Sequence, residues 1–301
     1  MKSTPKENTV NVKMKHRDTK EREVPMNTSA ARTTVGRIAI ALMVGTVVVI
    51  AYPAPVSAQS DPSGVPTSLS ADELLDRSDE TLFPESFVAT YRMETVRPGR
   101  RTAGIVLESS HLEGAGTYME VSEPARSRGM RFLQKEEDLW MYNPRSGSRR
   151  ALRLAPRDSF QGSVFSNNDV SDPDFVDDYR ARRAGNRDLD HPEMGLVTTT
   201  ILEAEAAHDE APYGRLVMWL WGGPDGGNVL PLRIDYYSKS GLAFKRMTLF
   251  EFGERAGGYR PAFLRMESLE EEGVATTVRI DDLEARETLP ARLFNQAELT
   301  R

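Results

Sequence analysis

Residues Pro124–Asn168 read PARSRGMRFLQKEEDLWMYNPRSGSRRALRLAPRDSFQGSVFSNN, and the fold class follows from them. Their first half carries three short runs of β-forming residues: Arg131-Phe132-Leu133, Leu139-Trp140-Met141-Tyr142 and Leu152-Arg153-Leu154. Turn formers separate the runs, first Glu136-Glu137-Asp138 and then Asn143-Pro144-Arg145-Ser146-Gly147. Short β runs split by such turns predict an antiparallel meander. From Ser159 the alternation is lost and a loop rich in Gly, Ser and Phe follows. No metal, phosphate or nucleophile motif occurs in it. What the stretch offers is aromatic surface on a sheet.

Outward from this block the period-two pattern continues. On the N-terminal side Phe87, Ala89, Tyr91, Met93 and Thr95 alternate with Val88, Thr90, Arg92, Glu94 and Val96; Pro98-Gly99 then turns the chain into Thr102–Ser109, and Thr117–Val121 follows. On the C-terminal side come Leu196–Ala204, Arg215–Trp221, Val229–Tyr237, Leu242–Phe252, Arg260–Leu269 and Val274–Leu283. That makes about eleven strand candidates at short spacing, as in a sandwich, barrel or long meander. Helical patterns flank them at Ser70–Phe83 and Pro290–Leu299. In the first, Ser70-Ala71-Asp72-Glu73 is a capping box, Leu74, Leu75, Ser78 and Leu82 share a side, and Pro84 ends the helix. No βαβ alternation is present, which argues against a Rossmann or TIM fold.

The order Phe132-Leu133, Leu139-Trp140-Met141-Tyr142-Asn143-Pro144, Gly147, then Ser159-Phe160-Gln161-Gly162-Ser163-Val164-Phe165-Ser166 resembles the outer-membrane lipoprotein-sorting family, the LolA/LolB-like proteins, and within it the larger uncharacterised branch. The resemblance implies a mainly β (α+β) fold: a curved antiparallel sheet of about eleven strands forming an open half-barrel, its apolar cavity covered by a few helices. It also implies that Asp169–His191 is a loop with a short helix near the cavity mouth, able to act as a lid. One departure stands out. In the best-known carriers of this family an arginine tied to cargo release precedes the proline before the strand pair; here Glu123 precedes Pro124.

The chain has 301 residues and no cysteine. Disulfides, thiol chemistry and lipid attachment to the chain itself are excluded, so a secreted domain of this sequence rests on its core. Residues 1–25 are polar and expected to be disordered or to precede the true start at Met26. Residues 26–58 have the layout of a signal peptide. Arg32 and Arg37 form its basic end, Ile38–Tyr52 an uncharged apolar run, and Val56-Ser57-Ala58 a small-residue cleavage site. Residues 59–69 read as a linker and 70–301 as the lipid-binding domain. This places the protein in the periplasm. Residues 1–58 hold nine Lys+Arg and four Asp+Glu of the chain's 39 and 45, which leaves 30 basic against 41 acidic groups, a net of −11. So acidic a surface disfavours nucleic acid.

Catalytic patterns are absent from the sequence. His16, His111, His191 and His208 lie far apart, with no ligand at metal spacing. There is no Gly-x-Ser-x-Gly, P-loop or His-Glu-x-x-His. Gly222-Gly223-Pro224-Asp225-Gly226-Gly227 joins two strands and leads into no helix, so it reads as a hairpin loop and not a phosphate cradle. The aspartates between Asp172 and Asp190 lack the glycine and terminal Glu of an EF-hand and alternate with arginines, the pattern of a solvated, salt-bridged loop. No enzyme activity, cofactor or metal is therefore expected.

Aromatic and Met surface remains. Phe160, Met218, Tyr236 and Phe263 belong to it, and the ligand-binding candidates within it are Tyr91, Phe132, Trp140, Tyr142, Phe165, Trp219, Trp221 and Phe250. Each is also readable as ordinary core. Alternation puts Trp140 with Tyr142 on one face, and Trp219 with Trp221 opposite Met218 and Leu220. Met93, Met130, Met141 and Met218 would add adaptability. The resemblance implies a carrier for lipoprotein acyl chains or phospholipid that works with an inner-membrane transporter. A protein-binding accessory subunit of an inner-membrane export system and a polysaccharide-acting enzyme are the competing expectations.

Overall fold

The computed structural model describes residues 61–301 apart from 137 and 171–174. The polar tail and the signal segment expected over 1–58 lie outside the described residues.

The capping box forms as read. Ser70 Oγ accepts from the Glu73 N–H at 3.2 Å, and the Glu73 carboxylate accepts from the Ser70 N–H at 2.7 Å. It opens α1, Ala71–Glu80, whose Leu74 and Leu75 are fully buried. A meander follows: β1 Phe87–Val96, β2 Ala103–Leu112, β3 Gly116–Glu123, β4 Arg131–Lys135, β5 Asp138–Tyr142 and β6 Leu152–Arg153. The chain then makes a 3-10 turn at Phe160–Gly162 and two short helices, α2 Asn167–Val170 and α3 Phe175–Asp178. A second meander runs through β7 Tyr179–His191, β8 Gly195–Ala206, β9 Arg215–Trp221, β10 Leu230–Tyr237 and β11 Ala243–Phe250. A small hairpin, β12 Gly253–Arg255 with β13 Gly258–Arg260, precedes β14 Phe263–Ser268 and β15 Ala275–Ala285.

Thirteen of these strands form one curved antiparallel sheet in the order β6-β5-β4-β3-β2-β1-β15-β14-β11-β10-β9-β8-β7; β12 and β13 pair separately. The sheet is not closed into a barrel. Its first and last strands in sequence, β1 and β15, are neighbours over ten registered pairs, from Phe87↔Ala285 to Val96↔Ala275. The two meanders are thus joined at the centre, and β6 and β7 become the edges.

Two expectations are corrected. The segment read as a polar loop and lid is largely β7, which lifts the strand number above about eleven. An edge strand pairs on one side only, so it does not need an apolar alternation. Arg180, Arg182, Arg187, Asp188 and Asp190 are exposed, while Tyr179, Leu189 and His191 are buried. The C-terminal helix expected over Pro290–Leu299 is a single 3-10 turn, Ala291–Phe294, because Asn295 is extended. Its apolar side chains Phe294 and Leu299 pack on Leu133, Tyr118, Trp140 and Tyr142 across the outer face of β3–β5.

The main core lies on the inner face, under α1 and under residues 154–170 of the segment that must pass from edge β6 to edge β7. This crossing segment touches the sheet strand by strand. Phe160 packs on Phe132 of β4 with ring centroids 4.9 Å apart. The Val164 N–H donates to Thr276 Oγ1 of β15 at 2.9 Å. Asp169 reaches Lys245 of β11 at 2.5 Å. Lys245 is 3% exposed. Its ammonium also donates to the Tyr213 hydroxyl at 2.5 Å, which in turn donates to Asp169, and it faces the Tyr213 and Tyr236 rings. Burial lowers the Lys245 pKa from its ordinary value against the pull of the Asp169 carboxylate, and burial followed by the Asp169 charge raises that of Tyr213.

A buried ion pair is costly to halve. Lys245→Met, which leaves the Asp169 carboxylate without its cation, is expected to lower the unfolding free energy by about 3–5 kcal/mol in urea denaturation. Asp169→Asn with Lys245→Met should recover most of that loss.

Candidate functional site

Between the crossing segment, the end of α1 and the inner face of the sheet lies a cavity of about 710 Å³, inside the range of about 300–1,000 Å³ for small-molecule sites. Alternation builds its floor. On β1, Phe87, Tyr91 and Met93 point inward; neighbouring strands add Leu107, Met119, Tyr236, Met247, Leu264, Met266 and Val278. Leu82, Phe83 and Pro84 after α1 close one side, Phe165, Asp169 and Val170 of the crossing segment another, and Gly258–Arg260 of the small hairpin a third. Four methionines, Met93, Met119, Met247 and Met266, contribute to the wall, each 6% exposed or less. Their unbranched, polarizable side chains can refit around different guests.

Several polar groups in the wall are paired. His111 Nδ1 lies 2.8 Å from Thr117 Oγ1, and its ring stacks on Phe87. Tyr213 is held by Asp169 and Lys245, as above. Burial pushes the Tyr91 hydroxyl well above its ordinary pKa, so it stays neutral. The charged side chains Arg77, Glu80, Glu85 and Glu113 stand at the rim, exposed. Among the described residues, no group of three or more His, Asp and Glu is placed to hold a metal.

Of the eight side chains proposed from sequence, Tyr91 and Phe165 line this cavity; the other six do not. Phe132 is fully buried beneath Phe160. Trp140 and Tyr142 face outward under the C-terminal turn. Trp219 is on the outer face, opposite the inward Met218 and Leu220, with the Arg233 guanidinium 4.1 Å above its ring. Trp221 meets Phe252, and Phe250 sits between His191 and Phe263. Cavity residues that the aromatic criterion passed over are chiefly the methionines and Tyr213. Met93 shares the inward phase of Phe87 and Tyr91, so the strand period itself carried a signal for it.

The glycine-rich loop has a structural role. The Gly222 N–H donates to Ser63 O at 2.8 Å and the Gly227 N–H to Gly64 O at 2.9 Å. A Cβ on Gly222 would lie 2.1 Å from the Gly64 carbonyl. Residues read as linker are therefore held: Ser63 and Val65 are 2% and 1% exposed.

A family model described as "Uncharacterized protein" matches residues 113–301, well over half of the chain, and the chain belongs to that family. Its fold is that of the LolA-like outer-membrane lipoprotein-sorting proteins. A LolA superfamily protein from Nitrosomonas europaea is 23% identical, with a TM-score of 0.65 over 76% of this chain and 98% of that one. A DUF1329 family protein from Desulfovibrio piger is 22% identical, with a TM-score of 0.65 over 76% and 97%. A lipoprotein-sorting protein domain from Vibrio parahaemolyticus is 20% identical, with a TM-score of 0.63 over 76% and 98%. No curated protein matches the sequence.

On the outer face Asp235 accepts from Arg233 Nε at 2.8 Å and from Arg246 at 2.7 and 3.0 Å. Burial would raise its pKa, but the two guanidiniums outweigh that and hold it below its ordinary value. A folded-state pKa below the unfolded one gives stability that is complete above about pH 4 and lost as the pH falls through the folded value. In thermal unfolding from pH 6 to 2, Asp235→Asn should start lower than wild type and lose less below about pH 4.

Proposed function

We propose that this protein is a periplasmic carrier that takes an acyl chain, of a lipid-modified protein or of a free lipid, into the inner-face cavity and helps sort it to the outer membrane. The apolar, methionine-rich cavity of about 710 Å³ is the observation that carries this reading. In it the curved sheet works as an open half-barrel, roofed by α1 and the crossing segment. Each methylene moved from water into such a site is worth ~0.8 kcal/mol. A long chain thus gains roughly 12 kcal/mol gross, which ordering costs reduce toward a releasable affinity. The task is binding and release, with no bond made or broken. The description of the Vibrio parahaemolyticus relative as an outer membrane lipoprotein-sorting protein domain supports it. Among the described residues no helix is long and apolar enough to cross a membrane. Handover through an inner-membrane transporter belongs to the same proposal, although Glu123 stands where the known carriers have their release arginine.

Native mass spectrometry with lipid extraction, on protein from a periplasmic fraction, should show a bound phospholipid or acylated peptide. A fluorescent fatty-acid probe should bind, and Met93→Trp, which fills the floor, should weaken it about tenfold or more. A wild-type protein that carries no lipid and does not take the probe would overturn the carrier reading. Co-purification of such an empty protein with a membrane complex would favour the export-accessory alternative.

A further inference from the structure

Arg260 ends the small hairpin and forms part of the cavity wall. One of its groups is anchored: Nη1 donates to the Glu80 carbonyl, at the end of α1, at 2.7 Å. Its Nε is buried and has no hydrogen-bond partner. Burial alone moves the guanidinium below its ordinary pKa, with no carboxylate opposing that shift. Arg233 and Arg246, partly shielded on the other face, share the Asp235 carboxylate instead. The guanidinium is half-buried, and one buried donor left unmatched is unfavourable by itself. The hairpin makes room for it: a Cβ on Gly258 would lie 3.2 Å from Arg260 Nε and Nη2.

We propose that Arg260 receives the oxyanion, carboxylate or phosphate, at the head of the chain that the cavity takes. This rests on the carrier reading above. A guanidinium presents a planar fork of donors that matches either oxyanion. An acyl chain attached to that oxyanion would run inward along Tyr91, Met93, Leu264 and Met266, which share the cavity with Arg260. The rim carboxylates Glu80, Glu85 and Glu113 are exposed and screened by solvent and salt, whereas Arg260 is half-buried in the wall.

The test compares hexadecanoate, hexadecanoyl lysophosphatidate and hexadecanol as competitors of an uncharged fluorescent probe. The wild-type protein should bind at least one anion about tenfold tighter than the alcohol. Preference for hexadecanoate alone identifies a fatty-acid carboxylate, and preference for the lysophosphatidate a phosphate headgroup. Arg260→Gln should abolish the preference, so that the anions bind no tighter than the alcohol. Gly258→Ala, which displaces the guanidinium but keeps its charge, should reduce it. Equal binding of all three by wild type, or a preference that survives Arg260→Gln, overturns this assignment alone. Failure of all three to bind, the alcohol included, overturns the carrier reading and this assignment with it.

Discussion

A chain that builds one open sheet from two meanders has to cross that sheet once. Here β1 and β15 meet at the centre, so the first meander ends at one edge and the second begins at the other. Laid flat, the twelve spacings of thirteen strands would separate those edges by about 58 Å. The sheet curls, and residues 154–170 take the path over its inner face. The cavity follows from this arrangement. The crossing segment is a roof that touches the floor at a few places, through Phe160, Val164 and Asp169, and leaves space between them.

The nature of those contacts separates fixed parts from adaptable ones. Lys245 with Asp169 and Tyr213 is a fully partnered polar cluster, and such clusters have few alternative arrangements. Thr276 accepts from Val164 and bonds Thr95 across the β1–β15 pair, which ties the roof to the central junction. The methionine wall is of the opposite kind, free to change rotamer with little loss. Position is specified by polar groups and volume is left to soft ones.

The fold was legible where one face of an element is buried and the other is wet. The capping box at Ser70, the alternation of β1 and the turns at Pro98-Gly99 and Asn143–Gly147 each follow from local chemistry. β7 was not legible, because an edge strand whose arginines and aspartates meet water has the composition of a loop. The C-terminal turn was misread because apolar spacing over ten residues fits a helix and an extended cover equally well. The site was legible only in part for a different reason. Alternation pairs Trp140 with Tyr142 and Trp219 with Trp221 correctly, but period two does not say which face is inside. Trp140 and Tyr142 went to the outer face under the C-terminal turn and Trp219 under Arg233, and the wall was left to Met, Leu, Phe and Tyr. Selecting aromatics alone overlooked residues in the same inward phase as Tyr91.

The β1–β15 pairing also bears on the order of events in folding. β1 has β2 as a local neighbour, but its other ladder belongs to a strand nearly two hundred residues later in sequence. Contacts at such separation are slow to form, since a long loop must close before they are rewarded. Until β15 arrives, the first meander is a sheet fragment with an open central edge and an uncovered apolar face. That is the stage most exposed to association with other chains. The strand that completes the architecture therefore closes that central edge late in folding.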